Sequence, residues 1–266
     1  FRAVGPLIVG NRFYLIERDY HRLLIWNSVP MDGTISPAGE VFGQTNFMNS
    51  TAGAASNSTL NAPQGVPASD GNNLLVADSG NHRVLLWSGP PTGASLPASR
   101  VLGQATMAGG TANRGLVAPD ASTLKTPLAV AAATSSRIAV ADTGNHRVLI
   151  WNQSITSDGQ NANVVLGQAS FSESSDHRNS TTLSTMNAPR GVATDGTRLL
   201  VCDSGNHRIL VWAAWPTQMG QPADLVLGQP TPSANAPTGQ SASDARFIAP
   251  AGLARAGKQY FVVDKG

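Results

Sequence analysis

The string Asp-Ser/Thr-Gly-Asn-His-Arg-Val/Ile-Leu-(Leu/Ile/Val)-Trp occurs three times, at 78–87, 142–151 and 203–212, and a degenerate copy runs from Glu17 to Trp26. Asp264-Lys265-Gly266 opens one more. The repeated Trp26, Trp87, Trp151 and Trp212 stand 61, 64 and 61 residues apart. Two other motifs keep the same phase. Val41-Phe42-Gly43-Gln44 is matched by Val101 to Gln104, Val165 to Gln168 and Val226 to Gln229. Pro63-Gln64-Gly65-Val66 is matched by Pro127-Leu128-Ala129-Val130, Pro189-Arg190-Gly191-Val192 and Pro250-Ala251-Gly252-Leu253. Three motifs in fixed phase over such a period describe one supersecondary unit, repeated.

The unit from Gly191 to Gln229 shows what each copy builds. Gly191 to Thr194 leads to the turn Asp195-Gly196, and Arg198 to Cys202 leads to Asp203-Ser204-Gly205-Asn206, whose glycine is free to take positive φ and whose Asp and Asn can bond local backbone. Arg208 to Trp212 and Asp224 to Leu227 complete four short β segments. Ile209-Leu210-Val211-Trp212 is apolar on both faces, so this strand is expected to be covered on both sides. Four-stranded antiparallel sheets that repeat and are covered on both faces predict an all-β chain and a β-propeller, with the Trp residues between blades.

These residues resemble NHL repeats, in the form Val-Ala-Asp-x-Gly-Asn-His-Arg-Val-Leu-x-Trp followed by Val-Leu-Gly-Gln. The resemblance implies a propeller that is commonly six-bladed, and a bacterial source. The visible copies divide the chain, as a single domain, into blades at 1–60, 61–123, 124–186 and 187–246 and half of a fifth at 247–266. The half-blade repeats strands that the first blade already has, so a continuation of the chain is expected, and the open blade edges invite contact with another chain.

Charged residues are only 13% of the chain, with three Lys against 15 Arg, and the net charge is +2. The Arg of each repeat has an Asp partner and the loops carry few aromatics. Some animal NHL domains bind RNA, but this composition argues against a nucleic-acid partner. Cys202 stands alone, aligned with Ala77 and Ala141, as a small buried thiol. No run reaches the length of a membrane span. The low Lys content, the Ser/Thr/Asn-rich loops and the resemblance point to an exported protein in the periplasm, at the cell surface or outside the cell.

The chemistry-bearing residues are explained by the repeat. His21, His82, His146 and His207 occupy one position in successive blades, so rotation about the axis keeps them apart, and they are expected to close their own turns; no metal is assigned. Some NHL-like lyases hold zinc with histidines near the axis, and a lyase or lactonase with an axial metal is the alternative reading. Asp78 with Arg83, Asp142 with Arg147 and Asp203 with Arg208 are read as structural anchors, each carboxylate with a pKa depressed by its guanidinium. In the first copy Glu17-Arg18-Asp19 replaces Asp-Ser/Thr-Gly, which predicts a different turn. The segments expected at the axis carry no His, Asp or Glu, and among ionisable groups only Arg255. Trp215, outside the repeat, is expected to be exposed at the lower rim.

The long loops 45–59, 105–123, 169–185 and 230–246 join each fourth strand to the next first strand. They emerge on the side of the Asp-x-Gly-Asn turns, which makes that face the candidate binding surface. Asn49, Asn57, Arg114, His177 and Arg178 are its candidate contact residues. The expected function is a non-catalytic scaffold for protein or glycan contacts, without a cofactor.

Overall fold

The computed structural model describes residues 3–30, 36–89, 96–235, 246–257 and 259–265. Part of the loop 230–246, and Gly266, lie outside them. Blade 1 comprises β1 (Ala3–Val9), β2 (Arg12–Glu17), β3 (Arg22–Trp26) and β4 (Glu40–Phe42). Blade 2 comprises β5 (Gln64–Ser69), β6 (Asn73–Asp78), β7 (Arg83–Ser88) and β8 (Arg100–Leu102). Blade 3 comprises β9 (Pro127–Thr134), β10 (Arg137–Asp142), β11 (Arg147–Trp151) and β12 (Val164–Leu166). Blade 4 comprises β13 (Gly191–Thr194), β14 (Leu199–Asp203), β15 (Arg208–Trp212) and β16 (Leu225–Leu227). A two-stranded sheet, β17 (Pro250–Ala256) and β18 (Gln259–Asp264), follows. Each four-stranded sheet is an antiparallel meander in chain order, and the whole is an all-β array of propeller blades.

The first strands stand side by side, β1 on β5, β5 on β9, β9 on β13 and β13 on β17. Glycine allows this approach: a Cβ on Gly65 would lie 2.5 Å from the Leu128 carbonyl oxygen, and one on Gly5 would lie 2.3 Å from that of Gly65. Between blades 2 and 3, Leu75, Val84, Leu86 and Leu102 pack against Val130, Val140, Leu149, Trp151 and Val165. Trp212 sits in the corresponding layer between blades 3 and 4, and Trp87 between blades 1 and 2. Each of these three indoles is buried and gives its Nε1–H to a carbonyl nine residues on, that of Leu96, Gln160 or Gln221.

The third-to-fourth-strand connection of a blade also covers the outer edge of the blade before it. Gly159 N–H donates to Val101 O at 2.8 Å, and Gly220 N–H donates to Val165 O at 2.9 Å. One edge-strand carbonyl of each blade is thereby satisfied, and on β8 the Val101 N–H also donates to Asp158 Oδ1. On β16, Leu225 and Leu227 are exposed, and among the described residues β18 pairs only with β17.

Three expectations are corrected here. Trp215 is buried in the layer between blades 3 and 4, its Nε1–H bonded to Asn152 Oδ1, because the connection that carries it folds back against the preceding blade. The Asp-x-Gly-Asn turns are short 3-10 turns in which the positive φ belongs to the following histidine, 53° at His82, 55° at His146 and 56° at His207. Their glycine is required for space: a Cβ on Gly80 would lie 2.7 Å from Asn61 O, and one on Gly144 would lie 2.7 Å from Lys125 O. The first copy keeps the same geometry, a 3-10 turn at Arg18–Tyr20 with His21 at φ 53°. Asp19 stands there in the glycine position, and the described residues place no inter-blade loop before β1 against it. Cys202 is the small buried thiol expected, free and fully buried, and the backbone of Gly191 packs against it and against β17. Burial, with the Asp203 and Asp264 carboxylates, pushes that thiol up to about 12.

Candidate functional site

In each repeat a buried carboxylate and guanidinium organise one face of the array. Asp142 and Arg147 are cross-strand partners in the β10–β11 register, and both side chains are 0% exposed. Arg147 Nε donates to Asp142 Oδ2 at 2.7 Å, and the same oxygen takes a bond from Asn145 Nδ2. The other oxygen accepts the Lys125 backbone N–H at 2.7 Å. Asp78 and Asp203 repeat the pattern with Arg83, Asn81 and Asn61, and with Arg208, Asn206 and Asn187. The expected depression of these carboxylates is corrected. Complete burial raises Asp78, Asp142 and Asp203 above the usual carboxylate range, and the guanidinium and N–H donors only oppose it.

The guanidinium has a second task that the sequence pattern did not disclose. Arg147 Nη2 donates to Asp120 O and Thr123 O, and Nη1 donates to Phe171 O. Arg83 grips Ser56 O, Thr59 O and Met107 O, and Arg208 grips Thr182 O, Thr185 O and Pro232 O. One buried side chain thus clamps the loop before its blade and the loop after it. The glutamine of Val-Leu-Gly-Gln assists: Gln104 Nε2 donates to His82 O and Thr111 O, and Gln168 Nε2 to His146 O and Ser175 O.

The histidines reach the next blade rather than closing their own turn. His21 Nδ1 accepts the Ala62 N–H, His82 Nδ1 the Thr126 N–H and His146 Nδ1 the Ala188 N–H, each at 2.9–3.0 Å. His207 pairs with Ile248 O. Burial lowers the pKa of His82 and His146, favouring the neutral ring that an accepting Nδ1 needs. Among the described residues no group of three or more His, Cys, Asp or Glu could hold a metal ion.

The five candidate contact residues have different surroundings, and no hydrogen bond joins any two of them among the described residues. Asn49 is exposed, with Nδ2 bonded to Thr45 Oγ1, and it lines a polar hollow of about 330 Å³ with Gln44, Thr51 and Ser58. Asn57 is exposed and Arg178 is exposed beside Asp176. His177 turns inward, its Nε2 against Gln168 Oε1 at 2.9 Å, and Arg114 is half-buried, reaching Gly159 O. The apolar tips of the same loops fall outside every repeated motif and carry no sequence signal of their own. Met48 is 89% exposed and Val117 fully so, with Phe47 and Leu116 beside them also exposed.

Along the axis the first strands enclose a cavity of about 400 Å³. Val66, Val130, Val192 and Leu253 line it, and its charged lining residues are Arg190 and Lys265. Arg255, the ionisable group expected there, does not line it. Gln64, Leu128, Arg190 and Ala251, the residues that follow the strand-opening prolines, all do.

The NHL repeat family profile matches residues 60–85 and 186–212. These segments are NHL repeats. They cover the loop approach, the first two strands and the Asp-x-Gly-Asn turn of blades 2 and 4, and they include Arg83 and Arg208. A crystal structure of selenomethionine-substituted virginiamycin B lyase from Staphylococcus aureus aligns with a TM-score of 0.47 and 11% identity, over 98% of this chain and 62% of that one. No curated protein sequence matches the chain. Among the described residues no helix is long and apolar enough to cross a membrane.

Proposed function

We propose that this NHL-repeat propeller is a non-catalytic binding scaffold, acting outside the cytoplasm, and that it holds a protein partner on the face formed by the long inter-blade loops. The observation that carries this reading is the clamp. Arg83, Arg147 and Arg208 each bind three loop carbonyls from a fully buried position, so loops that would otherwise lose entropy on binding are already ordered. Apolar side chains at loop tips gain nothing from water, and Met48, Phe47, Leu116 and Val117 supply contact area of the kind protein interfaces use. Their presence favours a protein over a glycan as the main partner. Asn49 and the polar hollow beside it contribute hydrogen bonds at the rim of such a contact.

The test compares immobilised parent protein with a Met48→Asp/Val117→Asp variant and a rim control, Arg137→Gln, against an extract of the source cells. The reading expects a partner retained by the parent and by Arg137→Gln and lost from the double variant. A partner held equally by all three would place the contact elsewhere. Stoichiometric zinc or calcium in purified protein, lost together with a measurable turnover, would replace the scaffold by an axial metal enzyme.

A further inference from the structure

We infer that the loop-face end of the axial cavity is a binding site for a small amphiphilic anion, a molecule with a carboxylate or phosphate oxyanion on an apolar body, gripped by Arg190 and Lys265. This site is separate from the loop-tip contact and lies where the repeats disagree. From blade 2 onward a proline stands at or just before the first strand, and two residues later comes Gly or Ala followed by Val or Leu, as packing of neighbouring backbones demands. The residue between is Gln64, Leu128, Arg190 or Ala251, and this changing residue lines the cavity together with the constant ones. Structural repetition explains the constant positions and leaves the variable one unexplained.

Arg190 is unlike the arginines of the frame. Its backbone N–H is fixed on Cys202 O, at the start of β13, while its side chain is exposed and has no hydrogen bond or ion pair with any described residue. Lys265 stands where Ser79, Thr143 and Ser204 stand in the complete blades. Those hydroxyls bond to the carbonyl of the next blade's opening proline, Pro127, Pro189 or Pro250. Lysine has no hydroxyl for that bond, and Lys265 is one of the residues that line the cavity. Neighbouring Asp264 directs its two oxygens to the backbone N–H groups of Ile248 and Ala249, and Lys265 forms no ion pair among the described residues.

The two cations are on adjacent walls. β13 packs on β17, with Gly191 closest to Ala251 and Leu253, and Pro250 at the head of β17 is the register partner of Asp264. No Asp or Glu lines the cavity, and below the cations its walls are the apolar side chains of the first strands. Two uncompensated positive charges above an apolar tube are complementary to an oxyanion with an apolar tail. Arginine offers a planar fork that takes two oxygens at once, and lysine offers a point charge.

The test uses 4-phenylbutyrate as the anionic probe and 4-phenylbutanol as its neutral twin, titrated calorimetrically into the parent and into Arg190→Gln, Lys265→Gln and Arg137→Gln. Arg137 is exposed on the strand β10 side of the turn and bonds Gly196 O, away from the cavity lining. The parent should prefer the acid to the alcohol, and Arg190→Gln and Lys265→Gln should each weaken the acid about tenfold, the order expected for losing a charge-assisted hydrogen bond. Affinity for the alcohol should not change in either variant, and Arg137→Gln should bind as the parent does. Equal affinity for acid and alcohol in the parent, an unchanged acid affinity in Arg190→Gln, or no binding of either probe by the parent would each overturn the assignment. Far-UV circular dichroism and melting curves confirm that the surface variants remain folded.

Discussion

Trp151→Ala is expected to be among the costliest single changes in this chain. The indole is 0% exposed, packs between Leu86 and Leu102 of blade 2 and the body of blade 3, and gives its Nε1–H to Gln160 O at 2.9 Å. Burying an aromatic side chain of roughly 150–250 Å² at about 25 cal/mol per Å² amounts to about 4–6 kcal/mol, an upper bound because the unfolded chain already hides part of that surface. Truncation leaves a cavity between two sheets that cannot collapse without breaking the first-strand packing at the axis, so about 3–5 kcal/mol of stability should be lost. In a protein of this size that corresponds to a melting temperature lower by roughly 6–20 °C. Urea unfolding followed by far-UV circular dichroism measures it, and because blades couple mainly to their neighbours, the transition should broaden or divide at the interface of blades 2 and 3. Trp26 provides the internal comparison. It occupies the same repeat position but is only half-buried, packing on Phe13 at 5.3 Å, so Trp26→Ala should cost clearly less. A Trp151→Ala protein that unfolds with the parent, or a Trp26→Ala protein that loses as much, would refute the inter-blade argument.

Two further outcomes are expected. Arg147→Met should cost about 3–5 kcal/mol, because it strands the buried Asp142 carboxylate, whereas Arg198→Met should cost clearly less, since the Arg198 side chain of the Arg198–Asp195 pair is half-exposed. Parallel denaturant titrations decide it, and equal losses would mean that the buried pair contributes nothing special. The folded-state pKa values of His82 and His146 lie below the ordinary 6.5, so their contribution to stability is complete above that pH and is lost as pH falls toward the folded values, where the unfolded chain takes up protons first. A His82→Asn/His146→Asn protein, whose asparagines tolerate the positive φ, should show a shallower decline of melting temperature between pH 7.5 and about pH 5 than the parent does. Superimposable pH profiles would exclude the imidazoles as the source.

The strand plan was legible because repetition averages out local ambiguity. Arg208 to Trp212 forms the strand its pattern predicts, and the strand before it begins one residue later than expected because Arg198 is engaged with Asp195 in the turn. What the pattern could not carry was contact between copies. The glycine of the Asp-x-Gly-Asn turn looked like a conformational requirement, and its cause is the backbone of the preceding loop at Asn61, Lys125 or Asn187, far from it in sequence. Trp215 looked like a surface residue because nothing near it repeats, yet Asn152 of the previous blade receives its N–H. The direction of the aspartate shift also depends on depth. An Asp beside an Arg in sequence space implies a lowered pKa, and only the complete enclosure of both reverses it.

The same enclosure links the fold to the face. A guanidinium buried for its aspartate alone would be poor value, since a buried ion pair often contributes no more than an apolar substitute would. Here Nε serves the aspartate while Nη1 and Nη2 reach the carbonyls of two loops, groups that would otherwise need water at the base of a crowded surface. Replacing the pair by a matched apolar pair, Asp142→Leu with Arg147→Met, would keep the layer filled but release those three carbonyls and the Lys125 N–H. The loops at 105–123 and 169–185 would then lose their common anchor, while the strands of blade 3 would keep their ladders. The buried charge therefore fixes the position of the loops, and the loop face is the part of the molecule that depends on it most.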